Sequence, residues 1–270
     1  MVLEQFLDRK IVVKHSIFVF ILSALYVFVA YAVQALFFPA DTGLAIVLLV
    51  TILLVPSLHH LVVFEEKLES KGASHFWRRH HVIIKCYLGA FLGLLAGFLI
   101  LGFVNPAMLG YQQQQLVQEH LKPEIIATFL NQPYTPDTTT AIALFSHNLM
   151  YLLFGFVLSL FYGAGAIFLV AYNASFFAAF VVELFAKWSA AGQLAAISLV
   201  HLLPESAGFI LTAIAGAEIS RALIHEKLTG DAFRNVLKNC FLLLLFGIMF
   251  ILLAAVLETY VTAVVFHRII

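Results

Sequence analysis

The sequence predicts an all-α protein: a polytopic membrane helical bundle of about seven transmembrane helices with a cytoplasmic N-terminus. Three observations lead there. Hydrophobic residues make up 63% of the 270 positions and charged residues 11%, against roughly half and a quarter in soluble domains. The apolar residues form runs of about 20, the length at which a helix crosses the hydrocarbon layer, and do not alternate as in a half-buried strand. Finally, the 15 Lys and Arg residues fall unequally on the two sides of these runs.

Residues 1–14 are mixed charged and apolar and read as an amphipathic cytoplasmic lead-in, since a cleaved leader would show a short apolar core and a small-residue cleavage site. The first span follows over about 15–37 and ends at Phe37-Phe38-Pro39. Pro39 to Thr42 form a turn, with Asp41 or Thr42 available as a cap. The second span, about 43–64, contains Pro56 and the pair His59-His60. A polar loop with Lys67, Lys71, Arg78 and Arg79 leads to the third span, about 82–104. That span carries Gly89, Gly93 and Gly97, small residues one turn apart that predict a helix-packing seam.

Residues 105–140 are the longest polar stretch; within it 111–121 predict a short surface helix ended by Pro123. A threonine of the cluster at 138–140 is expected to cap the fourth span, about 141–162. The turn Tyr162-Gly163-Ala164-Gly165 joins it to the fifth, about 165–186, as an antiparallel hairpin. Ala190 to Leu223 is too long for one perpendicular span. Because proline is favoured in a first helical turn, the sixth span is expected to open near Pro204 and reach about Leu223, with residues 190–200 along the interface. A basic loop at 221–239 precedes the seventh span, about 240–264, which holds Glu258 near its outer end. With the N-terminus inside, Lys122, Lys187 and Arg268 lie outside and the other twelve basic residues are cytoplasmic, as the positive-inside rule requires.

Formal net charge is zero, which gives no reason to expect nucleic acid as a partner. The lipid bilayer of the cell membrane is the expected partner; other membrane or cell-envelope proteins stay open, as does the oligomeric state. Cys86 and Cys240 start apolar runs behind positive flanks and read as reduced packing residues. No cofactor is called for. HExxH, GxSxG, Walker and GxGxxG patterns do not occur. Glu65-Glu66 lacks the arginine that an intramembrane CAAX-type protease would carry four residues on.

Candidate functional residues are those that hydrocarbon would exclude: His147 and Asn148 in the fourth span, Asn173 in the fifth, His201 and Glu205 at the sixth. Ionisable groups at membrane depth face the bundle interior and pair, so these five are expected to converge in one polar intramembrane cluster in the outer half of the bundle, bonded to one another. The plain reading of Glu205 is a helix cap; the functional reading makes His147, His201 and Glu205 metal or proton-handling candidates. His59, His60, Glu65, Glu66, His75, His80 and His81 read as solvated groups of the cytoplasmic face.

One resemblance goes further. His147-Asn148, then Gly155, Gly163 and Gly165, then Tyr172-Asn173-Ala174, His201-Leu-Leu-Pro204-Glu205 and Gly216 follow the order and spacing of motifs in the stage II sporulation protein M family, an integral membrane family. Relative to that pattern His147 replaces an asparagine, Ala174 a glycine, and the proline follows His201 instead of preceding it. The long external loop before the fourth span extends the likeness to about 80–270, so that residues 1–80 are expected to be a lead-in and two-helix addition to a membrane domain over 81–270. The resemblance implies a scaffold that recruits partners, with no enzymatic activity. A transporter or channel, or an intramembrane metal-dependent hydrolase, are the alternatives.

Overall fold

The computed structural model describes residues 16–38, 43–70, 76–119, 134–161 and 163–269. Among them every regular element is helical. We number the α-helices α1 (Ser16–Phe37), α2 (Leu44–Ser70), α3 (Phe76–Val104), α4 (Gly110–Glu119), α5 (Thr138–Phe161), α6 (Gly163–Lys187), α7 (Ala191–His225), α8 (Asp231–Leu257) and α9 (Ala263–Ile269). A short 3₁₀ turn, Pro106–Leu109, leads into α4, and a π-helical turn, Glu258–Thr262, joins α8 to α9. Among the described residues six helices are long and apolar enough to cross a membrane: those within α1, α3, α5, α6, α7 and the continuous α8–α9 rod. The apolar part of α2, Leu44–Pro56, is shorter. The expected seven are therefore six on this measure.

The bundle is organised around α6 and α7. Helix α6 touches α2, α3, α5 and α7, while α7 packs most extensively on α8. Close approach rests on small residues. A Cβ on Gly208 would lie 2.8 Å from the Gly247 carbonyl oxygen, so the α7 and α8 backbones nearly touch there. At the expected seam on α3, a Cβ on Gly93 would run into the Phe20 carbonyl of α1. One on Gly97 would stand 3.0 Å from the Ala24 carbonyl. Gly89 is only half-buried. The seam thus binds α1 to α3 and centres on Gly93 and Gly97.

Four local expectations are corrected. Helix α7 runs unbroken through Pro204. The proline removes one N–H and strains the preceding turn, but neighbouring helices tolerate such breaks in a bundle, and residues 191–200 belong to the helix instead of lying along the interface. The short helix α4 is not a surface helix: Met108 and Leu109 before it, and Gln112 and Leu116 within it, are buried. Gln112 Nε2 donates to Ser175 Oγ of α6 at 3.0 Å. Its polar sequence is misleading because one face meets α6. At the start of α5 the cap is Asp137 and no threonine: its carboxylate accepts from the Thr140 amide at 2.9 Å and the Thr140 hydroxyl at 2.6 Å. These bonds hold the Asp137 carboxyl below the usual carboxylate range. The basic segment at 221–239 is mostly helix, with a turn only between His225 and Asp231.

Candidate functional site: a cavity with two carboxyl groups

A cavity of about 370 Å³ lies among α4, α5, α6, α7 and the α8–α9 rod. His147, Asn148, Asn173, His201 and Glu205 all line it. Each reaches it because its helix crosses the bundle there: Asn148 is near the middle of α5, Asn173 near the middle of α6 and Glu205 near the middle of α7. That is deeper along α5 and α7 than the sequence suggests, since both helices begin earlier than expected.

The bonding differs from expectation. Among the described residues no hydrogen bond joins Asn148, Asn173, His201 and Glu205 to one another. His201 Nδ1 instead shares a 3.0 Å hydrogen bond with Thr262 Oγ1, the imidazole tautomer setting the donor. Asn173 Nδ2 donates to the Leu169 carbonyl of its own helix at 2.9 Å, which leaves its amide oxygen for the cavity. His147 Nδ1 and Asn148 Oδ1 are 3.5 Å apart, at the limit of a hydrogen bond, and the His147 ring meets Tyr151 edge-on at 4.8 Å.

Two carboxyl groups face this space. Glu205 comes from α7 and Glu258 from the π turn. A π turn widens the helix by one residue and is frequent at functional sites. Here it presents both Glu258 and Thr262 to the cavity. The Tyr134 hydroxyl donates to the Thr259 carbonyl at 3.2 Å and so ties the turn to the segment before α5. Sequence reading passed over Glu258 as a group near the end of a span. The signal was present: a glutamate inside a long apolar run is a site candidate wherever it falls.

The walls are otherwise apolar and aromatic, with Tyr151, Tyr172, Phe176 and Phe209 prominent. Tyr172 packs between Phe168 at 5.7 Å and Phe176 at 4.7 Å. Leu116 of α4 covers one side.

A second polar group sits away from the cavity. His80 Nδ1 of α3 lies 3.6 Å from Glu218 Oε1 of α7, both side chains 0% exposed. Cys240 Sγ of α8 donates to Glu218 Oε2 at 3.5 Å. His80 is therefore buried, which corrects its reading as solvated; it faces Glu218 of α7. His81 beside it is exposed. Cys86 and Cys240 are free thiols, both buried. His59, His60, Glu65, Glu66 and His75 lie outside the described side chains, as does the cap expected at Asp41 or Thr42.

Among the described residues no three His, Cys, Asp or Glu side chains are gathered closely enough to hold a metal ion. His147, His201 and Glu205 share a cavity but are not gathered into such a group.

Several membrane-length apolar helices, with polar groups around a cavity between them, define a multi-pass membrane protein. The chain belongs to the Stage II sporulation protein M family, whose pattern it matches over residues 16–263. The match takes in α1 and α2 as well as the central motifs. No curated protein and no solved structure matches the chain.

Proposed function

We propose that this protein is a membrane-embedded binding or transport component of the cell membrane that takes a small ligand into the cavity between α5, α6, α7 and the α8–α9 rod. The observation that carries the reading is the cavity itself. A recruiting scaffold needs only a packed, dry bundle, whereas polar side chains kept apart around about 370 Å³ suit a ligand site, whose usual volume starts at roughly 300 Å³. The π turn in the α8–α9 rod is a further point in favour, since such turns are frequent at functional sites. In this reading α2 completes seven crossings and the N-terminus is cytoplasmic, in keeping with the charge asymmetry.

The test is access. Ala263 lines the cavity, and the two native thiols are buried. Ala263→Cys should react with a small hydrophilic methanethiosulfonate while the parent protein stays inert. A thiol at 263 as unreactive as Cys86 and Cys240 would contradict the reading.

The scaffold reading retains one observation in its favour. Helix α5 keeps only 17% of its apolar window buried, and Met150, Phe154 and Val157 are exposed on it. Lipid can cover that face, and so can the helix of another envelope protein. Efficient crosslinking from position 154 to a second membrane protein, together with an inert thiol at 263, would favour the scaffold.

A further inference from the structure

We propose that the ligand is a small organic cation, an ammonium group carried on a compact apolar body. The inference rests on reading the cavity as a ligand site and adds the chemistry of its occupant.

Charge comes first. Glu205 and Glu258 line the cavity from separate elements, and the described lining residues include no Lys or Arg. Apart from the imidazoles of His147 and His201 no basic side chain among the described residues lines the cavity, so the carboxyls are neutralised by their own protons or by a cation that enters from outside. An anionic ligand would meet two acidic groups and no Lys or Arg to offset them.

The walls decide the kind of cation. Tyr151, Tyr172, Phe176, Phe209 and Phe266 contribute aromatic surface, and ring faces attract cations, above all weakly hydrated quaternary ammoniums. Tyr172 and Phe176 present adjoining rings 4.7 Å apart. A bare metal ion would need several converging oxygen or nitrogen ligands. Among the described residues no three His, Cys, Asp or Glu side chains are gathered for one. The Asn148 and Asn173 amides remain available to a hydroxyl or a second polar end of the ligand. The cavity thus has carboxyls at two points, aromatic rings around them and no Lys or Arg among its described lining residues.

The test uses the full-length Ala263→Cys protein in lipid nanodiscs and reads the rate of thiosulfonate modification. The probes are choline, the bulkier tetraethylammonium, the neutral choline isostere 3,3-dimethyl-1-butanol, and pivalate as a compact anion. At least one cation should slow modification saturably, while the isostere and pivalate do not at the same concentrations. Adding Glu205→Gln or Glu258→Gln should weaken that protection by about tenfold or more, the order expected for losing one charge-assisted contact. Two separate variants are used so that misfolding of one does not remove the test. Equal protection by the isostere, protection by pivalate, no protection by either cation, or undiminished protection in both glutamine variants would overturn the cation assignment while leaving a water-accessible cavity in place. An inert thiol at 263 would overturn the ligand site and the cation together.

Discussion

Glu205 and Glu218 occupy one helix in opposite surroundings. Glu218 is enclosed and bonded, with Cys240 donating to it and His80 beside it. Glu205 stands on a cavity wall. Removing one member of a buried polar pair strands its partner, at a cost of about 3–5 kcal/mol. Glu218→Ala should therefore lower unfolding stability by that order, while Glu205→Gln should stay within about 1 kcal/mol of the parent. Denaturant titration in a mild detergent compares the two, and equal losses would contradict the assignment. Thr262→Val should cost about 1–3 kcal/mol by leaving a buried His201 nitrogen without its partner, and Thr262→Ser should restore most of it. His201 and Glu205 were legible in the sequence because an apolar run makes any polar residue conspicuous. Glu218 was not, since it stands beside Arg221 and the expected end of a span and reads as an interfacial group. Only the packing of α3 and α8 against α7 buries it.

At the scale of elements, the hairpin of α5 and α6 and the glycine seam on α3 were readable because spacing alone specifies them. The unbroken α7 was not. Proline breaks helices locally, and only the surrounding bundle decides that this one continues. The π turn escaped for a similar reason, as one extra residue in a turn leaves no mark on composition. The seam yields a graded prediction. Gly93→Ala forces a methyl group into the Phe20 backbone and should destabilise by about 1–3 kcal/mol. Gly192→Ala, on an exposed turn of α7 with nothing within 4 Å of its Cβ, should be neutral or stabilising by up to about 1 kcal/mol. Thermal melts of the two variants check the order. A tolerated alanine at position 93 would mean that α1 and α3 are further apart than described.

At the scale of the molecule, composition was enough to identify an all-helical membrane bundle, and the order of short motifs was enough to suggest the family. The cavity was not legible. Its residues come from five elements far apart in the chain, and polar side chains that pair directly read the same in sequence as those that surround open space. The number of crossings turns on α2, whose apolar part is short. Single cysteines at Gln5 and Gln114 should react from opposite sides of the membrane if α1, α2 and α3 all cross. Reaction from the same side would take α2 out of the count. The most direct measurement of the central claim is a density map of the protein in a lipid nanodisc, resolved around Glu205. The expected map shows solvent or a bound molecule between α5, α6, α7 and the π turn, with the Glu205 and Glu258 carboxyls on its wall. Aromatic side chains collapsed into that space, or Glu205 turned toward lipid, would contradict it.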